Sequence, residues 1–344
     1  LWLEGHPNDA LKSEWKYYLD EAEQEEAVQA QLAEIRKEYS ALKPEEIRVI
    51  DPCSGSGHIL CVLFDVLVRI YEDYGYTARE AAVKIVENNL WGLDIDERAA
   101  QLSYFAVMMK ARQYNRRFLL KKDERGNPDI PQPHVYVIQE SNGIDPGCVE
   151  YFVDGRLELK SAMATLIKEM HDAKEYGSII NVTPVNFDAL YARFEEIRNT
   201  AIPDIYSYQA MDVLLPLVQV AQSMAQRYYI VVTNPPYMNN GGMTAKLSEY
   251  VKNTYPDSKA DLFSVFIERC CNMLKVSGFQ AMITQHAWMF LGSFEKLRNK
   301  MLNYNIINMA HLGARAFEEI GGEVVQTTSF VLQNRSEERR VGKE

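Results

Sequence analysis

The sequence predicts an α/β fold in which helices flank a doubly wound, mostly parallel sheet of seven strands. Short apolar runs that suit buried strands alternate with longer runs of helical periodicity. This alternation needs crossover connections, and such connections pair strands in parallel. With 344 residues the chain is long enough to bury a core of this size.

Seven apolar segments are the predicted strands, and helical segments separate most of them. The predicted strands are 47–52, 90–95, 134–139, 229–233, 278–284, 306–311 and 326–332. The predicted helices are 13–43, 57–75, 77–89, 97–115 and 260–275. Pro44 ends the first helix and Gly75 ends the second, because neither residue continues a helix well.

The composition narrows the classes of function. A net charge of −11 argues against a protein that coats nucleic acid, although it leaves room for a local basic groove. No apolar run could span a bilayer and no signal peptide opens the chain. The five cysteines lack a C-x-x-C pattern, which favours reduced thiols in a cytoplasmic protein. The six histidines lack ligand spacing, so we expect no metal site.

The stretch VIDPCSGSGHIL, residues 49–60, predicts a ligand-binding loop between a strand and a helix. Glycine allows a tight turn and a close approach to a ligand, and the next helix offers free N–H groups. A dinucleotide loop would read G-x-G-x-x-G, but here Leu60 takes the third glycine position and an acid precedes the loop. Both features argue against NAD. The candidate residues are Asp51, Pro52, Cys53, Gly55 and Gly57.

The ends of the next two strands supply further candidates. In GLDID, Asp94 could accept both ribose hydroxyls of an adenosyl group, and Ile95 could pack on the adenine face. With the glycine loop, this pair of motifs resembles the S-adenosylmethionine site of class I methyltransferases. The third strand end, QESNGID, offers Ser141, Asn142 and Asp145 without distinguishing them, and Asn142 is kept in the candidate set.

The fourth strand runs into Asn-Pro-Pro-Tyr, which resembles the catalytic motif of amino-group methyltransferases. Proline cannot donate to a sheet ladder, so the strand ends there on a rigid corner. The Asn234 side-chain oxygen and the Pro235 carbonyl could accept both N–H groups of an exocyclic amine and free its lone pair for attack. Pro236 would stiffen the corner, and Tyr237 could stack on a base that has left the duplex.

Longer stretches extend the resemblance. Residues 14–32, 51–76, 87–112, 231–239, 258–291 and 324–332 resemble the PglX family, the adenine-specific DNA methyltransferases of BREX phage-defence systems, which are related to type IIG restriction-modification enzymes. The resemblance covers nearly all of 13–333. It implies a class I (Rossmann-like) fold and N6-methylation of adenine, flipped from a short double-stranded DNA site, as a self mark. Other BREX components are candidate partners.

The sequence departs from this family in three respects. An upstream, aromatic-rich segment that contacts the cofactor is not visible, and the chain stops where family members continue into a target-recognition region. Relatives often use a second aromatic residue to sandwich the base, and here Phe317 and Phe330 are both candidates. Analogy also suggests that Asp261 lies near the cofactor.

We expect three parts in the chain. Residues 1–46 form an N-terminal helical segment, and residues 47–334 form the methyltransferase domain. Residues 146–228 are a helical insertion on its catalytic face, in which helices near 157–175 and 211–227 flank an irregular middle. The end, 335–344, resembles a translated sequencing adapter and is expected to be non-native; a start at Leu1 suggests missing upstream sequence.

Two rival functions stay open. Methyltransferases of protein glutamine or ribosomal RNA also use Asn-Pro-Pro-Tyr, although they usually lack a long insertion before it. A subunit that senses S-adenosylmethionine, binds DNA and needs partner proteins for activity would carry the same motifs.

Overall fold

The computed structural model describes residues 1–16, 18, 22–123, 125–313 and 326–334. Its centre is one seven-stranded sheet in the order β3-β2-β1-β4-β5-β7-β6. The strands are β1 (Val49–Asp51), β2 (Leu90–Asp94), β3 (His134–Val137), β4 (Tyr228–Thr233), β5 (Leu274–Gln285), β6 (Asn305–Gly313) and β7 (Thr327–Gln333). Among the described strands, β7 is the one that runs opposite to the other six, and it pairs antiparallel with β5 and β6. The mostly parallel sheet is therefore confirmed, and each strand overlaps its predicted position.

Helices pack on both faces of the sheet. They are α1 (Trp2–Gly5), α2 (Asp9–Glu14), α3 (Glu26–Ser40), α4 (His58–Tyr74), α5 (Ala78–Asn88), α6 (Glu97–Tyr114), α7 (Pro146–Val153), α8 (Leu157–Glu169), α9 (Ala173–Tyr176), α10 (Phe187–Arg198), α11 (Ile205–Gln209), α12 (Leu215–Ala225), α13 (Ala245–Thr254), α14 (Leu262–Asn272) and α15 (Glu295–Met301). A π-helical turn, 210–214, joins α11 to α12. None of these described helices is long and apolar enough for a membrane span.

Successive residues of β1 point into two different cores. Val49 packs with α4, α5 and α6, whereas Ile50 packs with the insertion and α14. Side chains alternate between the faces of a strand, so this division places one helical layer on each side. The doubly wound architecture is confirmed.

The long helix predicted at 13–43 is wrong. Helix α2 ends at Glu14 and α3 begins at Glu26, and the described residues between them are not helical. The sequence there, DEAEQEE, crowds acidic side chains at spacings that repel one another on a helix. Within the predicted range, α3 therefore carries the apolar period, and α2 contributes only residues 13–14.

The N-terminal helices pack against the rest of the fold. The Trp2 indole N–H donates to Asp73 of α4 at 2.7 Å. Near the end of α3, the buried Tyr39 hydroxyl donates to the Ser277 carbonyl and accepts a hydrogen bond from Gln333. Burial raises the pKa of Tyr39 far above its ordinary value, so this hydroxyl stays protonated. The division of the chain at residue 46 stays a prediction.

The insertion between β3 and β4 is helical, but its middle is not irregular as predicted. Helix α10 lies there and buries Leu190, Phe194 and Ile197, which share one helical face. The Asn186 side chain caps it by accepting the Ala189 N–H. The start of α10 was not predicted because Pro184 and the β-branched residues just before the helix favour non-helical structure.

Candidate functional site

The candidate loop and the Asn-Pro-Pro-Tyr corner lie side by side. Strand β1 pairs with β2 on one side and with β4 on the other, so the strand order reverses between β1 and β4. In open α/β sheets, ligands bind at the carboxyl ends of strands at such a reversal. The glycine loop follows β1 and the corner follows β4, and both therefore border this crevice.

The glycine loop depends on two left-handed glycines. Gly55 has φ +51° and Gly57 has φ +83°, a region that other residues enter at a cost. The loop also packs tightly, since a Cβ on Gly57 would lie 2.7 Å from Ser103 Oγ and 2.9 Å from Ser103 Cα, on α6. The Gly55 N–H donates to Asp94 Oδ2 at 2.8 Å, which ties the loop to the end of β2.

Asp51 is fully buried at the end of β1. Its Oδ1 accepts the Cys53 N–H at 3.1 Å and the Thr233 hydroxyl at 2.7 Å. Its Oδ2 is enclosed by protein and has no hydrogen-bond partner among the described residues. Burial raises the pKa of Asp51 to about 7, with a smaller contribution from the charge of Asp94, while both hydrogen bonds oppose the rise.

Asp94 and Ile95 end β2 beside this loop. Asp94 Oδ1 accepts the Asp96 N–H at 2.9 Å, and Oδ2 accepts Gly55. Each carboxylate oxygen can accept a further hydrogen bond. Ile95 is 57% exposed, which leaves an apolar surface open next to two polar oxygens. Of the loop's other candidates, Pro52 is buried, and burial raises the pKa of the half-buried Cys53 thiol well above its ordinary value.

The three candidates after β3 all contact the insertion. The Ser141 hydroxyl donates to the Ile167 carbonyl at 2.6 Å, and Asp145 caps α7. The exposed Asn142 exchanges two hydrogen bonds with Asp172, at 2.8 and 2.7 Å. Each side chain thus holds the insertion in place, and a cofactor contact from Asn142 stays a prediction.

Residues 172–181 of the insertion form a segment that we name the clasp. At one end it reaches the helix that follows the Asn-Pro-Pro-Tyr corner. Asp172 accepts Lys246 at 3.0 Å, and Tyr176 stacks on Tyr250 with ring centroids 4.3 Å apart. Further along, the Tyr255 hydroxyl donates to the Ile179 carbonyl. The clasp is therefore fixed to α13.

The clasp also contacts the candidate cofactor residues. Gly177 has φ +64°, and a Cβ on it would lie 3.1 Å from the Ile95 side chain. The buried Ser178 hydroxyl donates to the Pro52 carbonyl at 2.7 Å. The guanidinium of Arg269, buried in α14, in turn donates to the Ser178 carbonyl at 3.2 Å. The insertion therefore lies against the candidate cofactor residues and supports their loop.

The Asn-Pro-Pro-Tyr corner presents alternating exposed and buried residues. Asn234 and Pro236 are exposed, Pro235 is buried and Tyr237 is half-buried. The Tyr237 hydroxyl lies 3.3 Å from Asn234 Oδ1 and 3.4 Å from the Ile283 carbonyl, and its ring meets Phe263 edge to face. Burial raises the pKa of Tyr237 to about 12, so its hydroxyl keeps its proton. The Asn234 amide thus faces solvent on a braced corner.

Asp261 braces the chain that leaves the corner. It is the N-cap of α14, and its Oδ1 accepts the Phe263 N–H at 3.3 Å and the Met238 N–H at 3.0 Å. The Leu262 N–H donates back to the Met238 carbonyl at 2.9 Å. These bonds give Asp261 a role in anchoring the loop, and its proximity to the cofactor stays a prediction.

One candidate for the second stacking aromatic is wrong. Phe330 is only 2% exposed and packs against Trp288 in the core, with ring centroids 5.5 Å apart. Its side chain lies on the face of β7 that packs against the core, so it cannot reach a base. Phe317, the other candidate, lies outside the described residues.

Sequence reasoning also missed two residues that hold the site together. Thr233 links the corner to Asp51, and Ser178 links the clasp to Pro52. Thr233 could have been noticed as a hydroxyl at a strand end directly before the motif. Ser178 lies in a stretch with no motif, and nothing in the sequence marks it.

Comparisons with known proteins identify the family of this chain. Residues 88–317, which include the end of β2 and the Asn-Pro-Pro-Tyr corner, match the family described as Eco57I restriction-modification methylase. The chain belongs to the Eco57I restriction-modification methylase family. This chain is 42% identical over 355 residues to the adenine-specific methyltransferase BrxX of Escherichia coli O9:H4 (strain HS). It is 41% identical over 334 residues to the adenine-specific methyltransferase PglX of Lacticaseibacillus casei (strain Zhang).

The two relatives are much longer than this chain. The alignments cover 97% and 95% of this chain but only 29% of BrxX and 26% of PglX. Among solved structures, the ATP-dependent Type ISP restriction-modification enzyme LlaBIII bound to DNA has a TM-score of 0.50 at 10% identity. That match covers 89% of this chain and 18% of the LlaBIII chain, and it supports the fold.

Proposed function

We propose that this chain is the catalytic core of an enzyme that transfers a methyl group from S-adenosylmethionine to N6 of adenine in a specific DNA site. One observation carries the proposal. The exposed Asn234 amide directly follows Thr233, and the Thr233 hydroxyl binds the carboxyl group of the candidate cofactor loop. A group that can orient an amine therefore lies next to a group that can hold a cofactor.

The residues at the crevice fit the chemical groups of S-adenosylmethionine. The unpartnered Oδ2 of Asp51 suits the cofactor's ammonium group, since a buried oxygen without a partner is costly. Asp94 would accept the ribose hydroxyls, and the exposed Ile95 would cover one face of adenine. Gly55 and Gly57 would allow close approach of the loop. Pro52, Cys53 and Asn142 complete the proposed cofactor site.

The corner would activate the target amine by orientation. When bound, the cofactor supplies an electrophilic methyl group. The adenine N6 lone pair is delocalised into the ring, which makes the amine a poor nucleophile. The Asn234 oxygen and the Pro235 carbonyl would accept its two N–H groups and favour a tetrahedral nitrogen with its lone pair free. Prolines 235 and 236 would hold these acceptors in place before the amine binds, so the site would not need to reorganise during the reaction. Such preorganisation is usually the largest contribution to the rate. The surplus proton would leave to water after transfer.

Tyr237 would hold the adenine after it leaves the duplex. Its ring is braced by Phe263 and its hydroxyl by the corner, so little side-chain freedom would be lost on stacking. Stacking of a base on an aromatic ring contributes about 1–3 kcal/mol, which offsets part of the cost of flipping.

The names of the relatives support the adenine substrate and suggest a biological role. BrxX and PglX are both called adenine-specific methyltransferases, and the family is one of restriction-modification methylases. We extend this to self-marking of host DNA in BREX phage defence, in the cytoplasm and with other BREX components as partners. The site sequence would be read by parts of the protein beyond this core.

The experiment is a methyl-transfer assay on the longest natural polypeptide that carries this chain. Radiolabelled S-adenosylmethionine is offered with unmethylated duplex DNA, with ribosomal RNA and with glutamine-containing peptide, and modified nucleosides are identified by mass spectrometry. We expect N6-methyladenine in the DNA alone. Asn234→Ala should lose about 100-fold or more in rate, comparable to removal of one oriented polar group from an active site.

Asn199→Ala is the matched control, because Asn199 is an exposed asparagine at the end of α10 and lies outside the motif. Its rate should equal that of the unmodified protein. Label in RNA or peptide would replace the DNA proposal with the corresponding rival. Cofactor binding without transfer to any substrate would favour the sensing subunit.

A further inference from the structure

The hydrogen bond between Thr233 and Asp51 joins the two halves of the site directly. Both side chains are buried, with exposed fractions of 2% and 0%. The Thr233 Oγ1 to Asp51 Oδ1 distance is 2.7 Å, and the two residues end neighbouring strands. A buried polar contact at this position connects the cofactor loop to the residue just before Asn234.

The donors around Asp51 are distributed unequally. Oδ1 receives both the Thr233 hydroxyl and the Cys53 N–H, whereas Oδ2 receives none from the described residues. Two donors on one oxygen fix the rotation of the carboxyl group, so the direction of Oδ2 is fixed as well. The free oxygen is therefore a directed acceptor for a group that the protein itself does not provide.

We propose that Thr233 is a positioning residue that orients Asp51 so that Oδ2 binds the cofactor's ammonium group, and that couples this contact to the catalytic corner. The inference rests on the proposed function, because it names S-adenosylmethionine as the ligand. It adds a residue, and a physical link between cofactor and corner, that the motifs alone do not contain.

The protonation of Asp51 provides a measurable consequence. Among the described residues, the charge of Asp94 raises the pKa of Asp51, and Asp51 in turn raises the pKa values of the Cys53 and Cys270 thiols. Burial raises the pKa of Asp51 to about 7, and the Thr233 hydrogen bond opposes that rise. An ammonium group binds the ionised carboxylate, so affinity should increase as pH rises through this pKa. Without the Thr233 hydroxyl, the pKa should rise further and the whole affinity profile should move to higher pH.

Two variants separate the hydroxyl from the shape of the side chain. Thr233→Val keeps the volume and removes the donor, and Thr233→Ser keeps the donor. Calorimetric titration with S-adenosylmethionine across the pH range around 7 should show about 10-fold or more weaker binding by Thr233→Val at neutral pH, as for loss of a hydrogen bond to a charged group. The midpoint should also move upward. Thr233→Ser should restore both quantities.

Thr328→Val is the matched control. Thr328 is also fully buried in a strand, and its hydroxyl donates to the Ala310 carbonyl at 3.1 Å, outside the candidate site. The same loss of a buried hydroxyl should leave the pH profile of cofactor binding unchanged. A shift as large as that of Thr233→Val would mean that general destabilisation causes the effect, and would overturn the proposal.

A second measurement works without cofactor. The carboxyl carbon of Asp51 is followed by NMR during a pH titration of the free protein and its variants. A higher midpoint in Thr233→Val, with a normal one in Thr233→Ser, supports the positioning role; equal midpoints refute it. If the unmodified protein binds no S-adenosylmethionine at any pH, the proposed cofactor is refuted. The carboxyl titration then decides by itself whether Thr233 orients Asp51.

Discussion

Replacing Gly57 with alanine tests the tight packing of the glycine loop against α6. Gly57 has φ +83°, and a left-handed residue with a Cβ costs about 1–2 kcal/mol. The new Cβ would also lie 2.9 Å from the Ser103 Cα, a backbone atom that cannot rotate away. Forcing extra volume into a packed site costs about 1–3 kcal/mol. We therefore expect Gly57→Ala to lose about 2–5 kcal/mol of unfolding free energy.

Gly55→Ala separates the two contributions. Gly55 has φ +51°, yet a Cβ there meets no atom within 4 Å. It should show only the conformational cost of about 1–2 kcal/mol. Both variants restrict the unfolded chain equally, so that effect cancels in the comparison.

Urea denaturation of the two variants gives the difference in unfolding free energy, which should be about 1–3 kcal/mol. Calorimetric titration should also show a larger loss of cofactor affinity for Gly57→Ala, since its clash displaces the loop. Equal unfolding free energies for the two variants would refute the claim that contact with Ser103 constrains the loop.

Three further changes test other parts of the site. The pKa of Asp51 is about 7 in the folded protein and lower in the unfolded chain, so the unmodified protein should lose stability as pH rises from about 4 to about 7. Asp51→Asn removes this carboxyl group and should therefore abolish that loss, which urea denaturation at both ends of the window measures. Ser178→Ala should speed amide hydrogen exchange in 49–60, while Thr165→Ala, an exposed hydroxyl in α8, should not. Tyr237→Phe should keep DNA affinity, whereas Tyr237→Ala should lose about 1–3 kcal/mol of it in a binding titration; equal losses would contradict stacking.

The sheet was predictable because its signals are local. Each strand is a short apolar run bounded by turn residues, and the glycine loop and the proline corner follow strand ends directly. Parallel alternation alone places both motifs at one edge of the sheet, since the carboxyl ends of parallel strands share it, but their adjacency also requires β4 to lie beside β1. The helix predicted at 13–43 is wrong for the opposite reason. The prediction followed the spacing of apolar residues, and that spacing takes no account of repulsion among the acidic side chains between them.

The supports of the site were less predictable because they depend on distant pairs. Thr233 and Asp51 are 182 residues apart, and Ser178 and Pro52 are 126 apart. Serines and threonines are common at buried positions, and only the assembled fold shows which one meets a loop carbonyl. Similarly, Phe330 could be assigned to the core only after β7 had been placed between β5 and β6.

The clasp has a consequence for how the protein becomes functional during synthesis. The glycine loop leaves the ribosome before the residues that hold it, since Ser178 and Thr233 follow more than a hundred positions later. Domains fold as units as the chain emerges, and contacts between distant residues form late. We therefore expect the nascent chain to gain the ability to bind the cofactor in one step, after β4 has joined the sheet. Cofactor binding should then have no effect on earlier stages of folding.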